Sequence, residues 1–192
     1  TLKNRGFTIV SDPAEADAVI VNTCGFIESA KQESIDEIIE LGKLKQEGTI
    51  KAIIVTGCLA ERYRDEILKE IPEVDVCVGI GSNSKIAEIV KNAIEGNAQN
   101  SFGEKTDLDL NGKRILGGMP FTAYLKVADG CDNCCTYCAI PLIRGHFRSR
   151  KMEDIIAGCI SRDTLTGIRK SLTAILGDTL TGHYEGFLGV DQ

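Results

Sequence analysis

Four of the eight cysteines in this 192-residue chain fall within eight consecutive positions, Cys131, Cys134, Cys135 and Cys138. A single thiol is often a small buried hydrophobe, but four crowded thiols are costly to keep reduced and unpaired, so metal ligation is the chemistry to test first. Cys131, Cys135 and Cys138 stand in a C-x3-C-x2-C spacing that lets one loop present three thiolates to one face of a cubane cluster. A sulfur-only donor set suits an iron–sulfur cluster or zinc. The zinc reading uses two C-x2-C pairs, Cys131/Cys134 and Cys135/Cys138. Structural zinc normally takes such pairs across a spacer, whereas these abut, and adjacent Cys134 and Cys135 are hard to aim at one metal. The spacing therefore favours the cluster, with Cys134 a non-ligand.

Two further cysteines have matched surroundings. Cys24 follows the apolar run Ala18-Val19-Ile20-Val21-Asn22-Thr23, and Cys58 follows Ala52-Ile53-Ile54-Val55-Thr56-Gly57. Continuous short apolar runs read as strands of a parallel sheet covered on both faces, and open α/β sheets bind ligands just beyond the carboxyl ends of their strands. Neighbouring strands would bring Cys24 and Cys58 together. Cys77, inside a third apolar run, and Cys159, on an apolar helix face, read as core residues. His146 and His183 have no partner at a ligand spacing.

The elements that must position these thiols follow in order. Residues 7–10 predict a short strand and 11–17 a turn or single helical turn. Residues 18–22 predict a strand, and 28–47 a long helix with Ile35, Ile38, Ile39 and Leu44 on its buried face. A strand at 51–56, a helix at 62–71 stopped by Pro72, and a strand at 74–78 come next. Gly79-Ile80-Gly81 leads into a helix with Ile86, Ile89, Val90 and Ala93 inward, ended by Gly96; a dinucleotide loop is disfavoured because Ser84 occupies the place of its third glycine. Strands alternating with helices imply βαβ units, so residues 1–96 predict an α/β, parallel-sheet, three-layer domain. Residues 97–120 are polar and rich in Gly, Asn and Asp, and read as a linker. Residues 121–127 predict a strand delivering the cysteine loop, 152–160 a helix and 171–176 a further strand. This is the start of a second, β/α domain over 121–192.

Composition narrows the setting. The chain is 43% hydrophobic with a net charge of −6, and no run of about 18 apolar residues occurs, so no membrane helix is expected. No apolar signal core opens the chain, which, with ligand-like cysteine spacings, points to a reduced cytoplasmic setting rather than a disulfide framework. The acidic balance disfavours a broad nucleic-acid surface, although Arg144, Arg148, Arg150 and Lys151 form a local basic run that could meet a ribosomal or RNA surface, screen cluster charge, or simply be solvated.

The stretch Gly130-Cys131-Asp132-Asn133 … Cys135-Thr136-Tyr137-Cys138-Ala139-Ile140-Pro141-Leu142-Ile143-Arg144-Gly145, then Arg148-Ser149-Arg150, resembles the methylthiotransferase branch of the radical S-adenosylmethionine enzymes. Val21-Asn22-Thr23-Cys24-Gly25-Phe26-Ile27-Glu28-Ser29-Ala30 and Gly57-Cys58-Leu59-Ala60 resemble two of the three cysteine sites in that branch's N-terminal domain. The resemblance covers residues 1 to about 157. Residues 23–31 look most like the RimO type, which methylthiolates an aspartate of ribosomal protein S-twelve; relatives that modify isopentenyladenosine in tRNA are the alternative substrate class, and a non-catalytic iron–sulfur or zinc module the alternative of another kind.

The resemblance implies a transferase with two 4Fe–4S clusters and S-adenosylmethionine. Cys131, Cys135 and Cys138 would hold the radical-generating cluster, Cys24 and Cys58 would bind the second, and Tyr137 would lie near the adenine. It implies the start of a radical S-adenosylmethionine β/α partial barrel over 121–192. The implied partners are ribosomal protein S-twelve or the small ribosomal subunit and an electron donor such as flavodoxin or ferredoxin, with no membrane. Two departures accompany it: the family's first N-terminal cysteine falls ahead of Thr1, and residues 164–192 follow the family pattern poorly. The stretch as it stands is expected to be incomplete at both ends and inactive alone.

Overall fold

In the computed structural model the described residues are 2–107, 110 and 125–160, with side chains described as far as 156. Backbone contacts divide the chain into two units. The first takes in the residues up to 109 together with Gly130–Phe147; the described part of the second is 110, 125–129 and 148–160.

The first unit is built on three parallel strands in the order β1 (Ala18–Thr23), β2 (Ala52–Gly57) and β3 (Val76–Val78). Their register pairs Asn22 with Thr56 and Thr23 with Gly57, then Ile54 with Val76 and Thr56 with Val78. All six residues of β2 are buried, as a central strand covered on both faces requires. Successive side chains of a strand point to opposite faces. Ile53 and Val55 accordingly enter one core, with Val21, Ile38, Leu41, Leu59, Ile67 and Cys77. Ala52 and Ile54 enter the other, with Val76, Val78, Ile89, Val90 and Ala93. Helices α1 (Glu28–Gln46), α2 (Cys58–Arg62) and α3 (Arg64–Glu70) supply the first face and α4 (Ile86–Ile94) the second. This is the α/β, parallel-sheet, three-layer arrangement expected for the N-terminal domain.

Several details depart from expectation. Residues 7–10 form no strand: Phe7 packs against the second core, but Ile9 and Val10 are exposed and, among the described residues, no ladder partner runs beside them. An isolated extended segment gains no sheet hydrogen bonds, so apolar content alone does not make it a strand. β1 is only half-buried over Ala18–Ile20, since among the described residues it pairs with β2 alone. On α1, Ile38 is fully buried while Ile39 is 46% exposed; adjacent helical positions are about 100° apart, and the inward face is completed by Leu41 and Gly42 instead. The helix expected at 62–71 is present as Arg64–Glu70, and an unexpected short helix, Cys58–Arg62, precedes it across a break at Tyr63, whose ring is flanked by the Arg62 guanidinium at 4.8 Å and the Lys31 ammonium at 5.8 Å.

Residues 100–102 run along the free edge of β3. Asn100 Oδ1 accepts from the Cys77 N–H at 2.8 Å, Ser101 pairs with Val78, and Gly79 N donates to Ser101 O at 2.9 Å. The edge is thereby capped rather than left as an open template.

In the second unit, β4 (Ala128–Asp129) pairs antiparallel with β5 (Arg148–Ser149), followed by α6 (Met152–Ile160). Of the expected strand at 121–127, residues 125–127 are not in a strand and 121–124 lie outside the described residues, as do the expected strand at 171–176 and the side chain of Cys159. No helix among the described residues is long and apolar enough to cross a membrane.

Candidate metal centre

Cys24 and Cys58 stand side by side at the carboxyl edge of the sheet. Cys24 is the first residue past β1 and Cys58 the first past β2, and the preceding pair, Thr23 and Gly57, are register partners. The buried Thr23 hydroxyl fixes this edge: it donates to Thr56 O at 2.7 Å and accepts the Ala60 N–H at 3.4 Å, locking the end of β1 to both β2 and α2. Gly57 adopts φ +101°, ψ −163°, a conformation essentially confined to glycine, and this turns the chain from β2 into α2 with Cys58 at its start. Gly25 serves a different need. A Cβ there would lie 2.7 Å from the backbone carbonyl group of Cys58, so only glycine lets the two cysteine segments come this close.

Both thiols are half-buried. The Cys24 thiol is held below its ordinary pKa, first by the backbone N–H of Ile27, then by that of Phe26, with the charge of Arg144 adding and partial burial opposing. Those amides lie in the segment leading into α1, with Ile27 its N-cap residue, and N–H donors aimed at a sulfur favour its anionic form. The Cys58 Sγ accepts a hydrogen bond from Nη2 of Arg144 at 3.1 Å. A cation on one sulfur and amide donors beside the other are surroundings that suit soft-metal ligation.

The second group of cysteines occupies the loop between β4 and the short helix α5 (Ile140–Arg144). Its base is closed by Cys131 N donating to Gly145 O at 3.2 Å. It is also closed by Asp132, whose carboxylate accepts from His146 Nδ1 at 2.9 Å and Phe147 N at 3.1 Å. These partners, His146 first, hold the Asp132 carboxyl below its usual range. Within the loop, Cys135 N donates to Asn133 O and Cys138 N to Cys135 O. Cys131 and Cys138 are half-buried, Cys134 and Cys135 exposed; Cys134 Sγ turns back towards its own backbone at Asp132 O, 3.8 Å away. Tyr137 is 90% exposed.

Among the described residues, no three His, Cys, Asp or Glu side chains converge closely enough to hold a metal ion. Cys131, Cys135 and Cys138 therefore share one short loop without being gathered to a point, while Cys24 and Cys58 are brought to one edge as a pair. The donor set fits an iron–sulfur cluster in its chemistry, since each group presents thiols that are at least partly accessible. Cys77 is the contrast. It is fully buried, and burial, with the Glu61 charge adding, pushes its thiol up to about 11, as befits an inert core residue.

The basic run expected after the loop is not one solvated segment. Arg144 reaches Cys58. In the second unit Arg150 is buried, donating to Lys126 O at 3.0 Å and Asp154 O at 3.1 Å, and Arg148 lies 4.0 Å from Asp129. Sequence reading also passed over Lys105, which donates to the Leu142 carbonyl of α5 and stands 3.9 Å from Glu61 of α2. The largely buried Glu61 carboxylate in turn accepts the Ile80 N–H at 2.9 Å. No local pattern signals these contacts. His183 lies outside the described residues.

Comparison with known proteins matches the first part of this architecture to the uncharacterized protein family UPF0004, over residues 1–79. Curated relatives extend the match through the cysteine loop. The ribosomal protein uS12 methylthiotransferase RimO of Desulforamulus reducens is 54% identical over 160 residues, covering 81% of this chain and 36% of that protein. The RimO of Thermoanaerobacter sp. is 51% identical over 156 residues, again 81% of this chain and 36% of its own length. That of Clostridium kluyveri is 47% identical over 176 residues, 90% of this chain and 39% of its own. Over that span the chain is similar in sequence to the RimO methylthiotransferases. It covers somewhat more than a third of the length of these relatives.

Proposed function

We propose that the protein is a radical S-adenosylmethionine methylthiotransferase acting on an aspartate of ribosomal protein S-twelve. The observation carrying this reading is the coexistence, in a RimO-type sequence, of a C-x3-C-x2-C loop with a second pair of thiols at adjacent strand ends. In it, residues 1–96 are the methylthiotransferase N-terminal domain, 97–120 the linker and 121–192 the beginning of the radical domain. Cys131, Cys135 and Cys138 hold one 4Fe–4S cluster, and Cys24 and Cys58 contribute two ligands to a second. When bound, these clusters and S-adenosylmethionine supply the one-electron chemistry that activates an unreactive carbon–hydrogen bond and the sulfur that replaces the hydrogen.

The chain's own residues orient and tune. The backbone amides of Ile27 and Phe26 lower the Cys24 pKa, which favours the deprotonated form a ligand must take. Thr23, Gly25 and Gly57 hold the two strand-end cysteines adjacent. The Asp132–His146 and Cys131–Gly145 contacts close the base of the loop so that its thiols are offered on one short segment. Tyr137, exposed in the loop, would lie near the adenine. The setting is cytoplasmic, with a flavodoxin or ferredoxin as electron donor and the small ribosomal subunit as partner.

Anaerobic reconstitution of the full-length protein with iron and sulfide, then S-adenosylmethionine and a strong reductant, should release 5′-deoxyadenosine. Mass analysis of ribosomal protein S-twelve from cells with and without the gene should show the methylthio increment only when it is present. An increment on tRNA nucleosides instead would transfer the reading to the tRNA-modifying class, and stoichiometric zinc without iron would replace it with a structural module.

A further inference from the structure

Arg144 lies 86 positions from Cys58 in the chain, yet its Nη2 donates to Cys58 Sγ at 3.1 Å. It is carried by α5, the helix immediately following the Cys131–Cys138 loop, and all of these residues belong to one unit. The contact is held from behind. Lys105 donates to Leu142 O on the same helix and pairs with Glu61 on α2, so α5 is tied to the helix that begins with Cys58 at two points.

We propose that Arg144 is a positioning residue for the Cys24/Cys58 site: its guanidinium supports Cys58 as a cluster ligand by a charge-assisted hydrogen bond to Sγ. This rests on the metal reading of Cys58 given above. A cation hydrogen-bonded to a ligating sulfur offsets the negative charge that thiolates and sulfide bring, which favours the reduced, more negative state of a cluster. A helix belonging to the first cysteine loop thereby tunes the second cysteine site. Arginine suits the task because its guanidinium stays charged at any working pH and its planar fork offers further donors while one N–H is committed to sulfur.

Two measurements test this, one independent of any cluster. On the metal-free chain, the rates at which Cys58 is alkylated by anionic iodoacetate and by neutral iodoacetamide are compared by mass spectrometry. Taking their ratio cancels thiol ionisation and accessibility and leaves the local charge. Arg144→Gln should lower the ratio at Cys58 roughly fivefold, the Coulomb factor for unit charges about 4 Å apart in water. Arg144→Lys should restore a substantial part, and the ratio at exposed Cys134 should not move. In the second measurement, Cys131, Cys135 and Cys138 are changed to Ala and the protein reconstituted, so that iron bound depends on Cys58. There Arg144→Gln should keep the iron but lower the midpoint potential, with Arg144→Lys intermediate. An alkylation ratio unchanged by Arg144→Gln overturns the inference whatever the protein binds, and so does an unchanged potential. A ratio that falls while the protein lacking the three loop cysteines takes up no iron refutes the metal reading of Cys58, and the role of Arg144 at a cluster goes with it.

Discussion

Replacing Gly57 with alanine puts the geometry of the strand-end site to its sharpest test. The residue adopts φ +101°, ψ −163°, a region in which a side-chain-bearing residue costs about 1–3 kcal/mol. The added Cβ would also lie 2.4 Å from Thr23 O and 2.7 Å from both Thr23 N and Asn22 Oδ1. Two of those three atoms are backbone of β1, so no rotamer change relieves the overlap. β1 must move away from β2, and that strains the 2.7 Å bond from the Thr23 hydroxyl to Thr56 O, worth about 0.5–1.5 kcal/mol. Together these give a loss of roughly 2–4 kcal/mol. Gly96→Ala is the control: φ is +80° there, with nothing within 4 Å of its Cβ, so only the conformational cost of about 1–2 kcal/mol remains. Urea titrations followed by far-UV circular dichroism would measure both, since the chain has no Trp to report by fluorescence. The midpoint should fall further for Gly57→Ala at unchanged slope. Equal losses at the two glycines would refute the argument that Cys58 is placed by the close approach of β1 to β2. Iron uptake at the strand-end pair should drop with the stability.

Three further outcomes follow from the same structure. Thr23→Val removes a buried hydroxyl that both donates to Thr56 O and accepts from Ala60 N, and should cost about 1–3 kcal/mol in the same titration. Cys77, with its thiol pushed up to about 11 from 9.0, favours the neutral form in the folded state; its contribution is complete below about 9 and is lost as pH rises through 9 towards 11. Stability over that window should therefore fall more steeply in the parent protein than in Cys77→Ala, and parallel slopes would count against it. Within the loop, Cys134→Ala should leave cluster absorbance intact after reconstitution while Cys135→Ala abolishes it; loss in both would make Cys134 a ligand.

The sheet was legible in the chain because its signal is strong and local. The runs read as strands at 18–22, 51–56 and 74–78 are rich in apolar, β-branched residues; they are strands at Ala18–Thr23, Ala52–Gly57 and Val76–Val78, the last shorter than expected, in parallel order. The helix face of α4 was equally readable, with Ile89, Val90 and Ala93 buried as spaced. Residues 7–10 misled because apolar content measures a wish for burial and says nothing of a neighbouring strand. Ile39 misled because Ile38 beside it competes for the same inward face, and the sequence of one helix does not say where its partner layer ends. The break at Tyr63 was invisible for a similar reason: its ring is flanked by Lys31 as well as by its neighbour Arg62, a contact formed only on folding.

By itself the sequence determined which thiols exist, how they are spaced, and that two of them follow strands at the edge where α/β sheets bind ligands. Spacing and periodicity are properties of the chain before it folds, and thiol chemistry travels with the residue. The tertiary structure decided which of those features meet. It set the Thr23–Gly57 register that makes Cys24 and Cys58 neighbours, the glycine approach that allows it, and the placement of Arg144 on a sulfur 86 positions away. Such contacts are chosen by packing among many sterically possible partners, so no pattern within either segment encodes them.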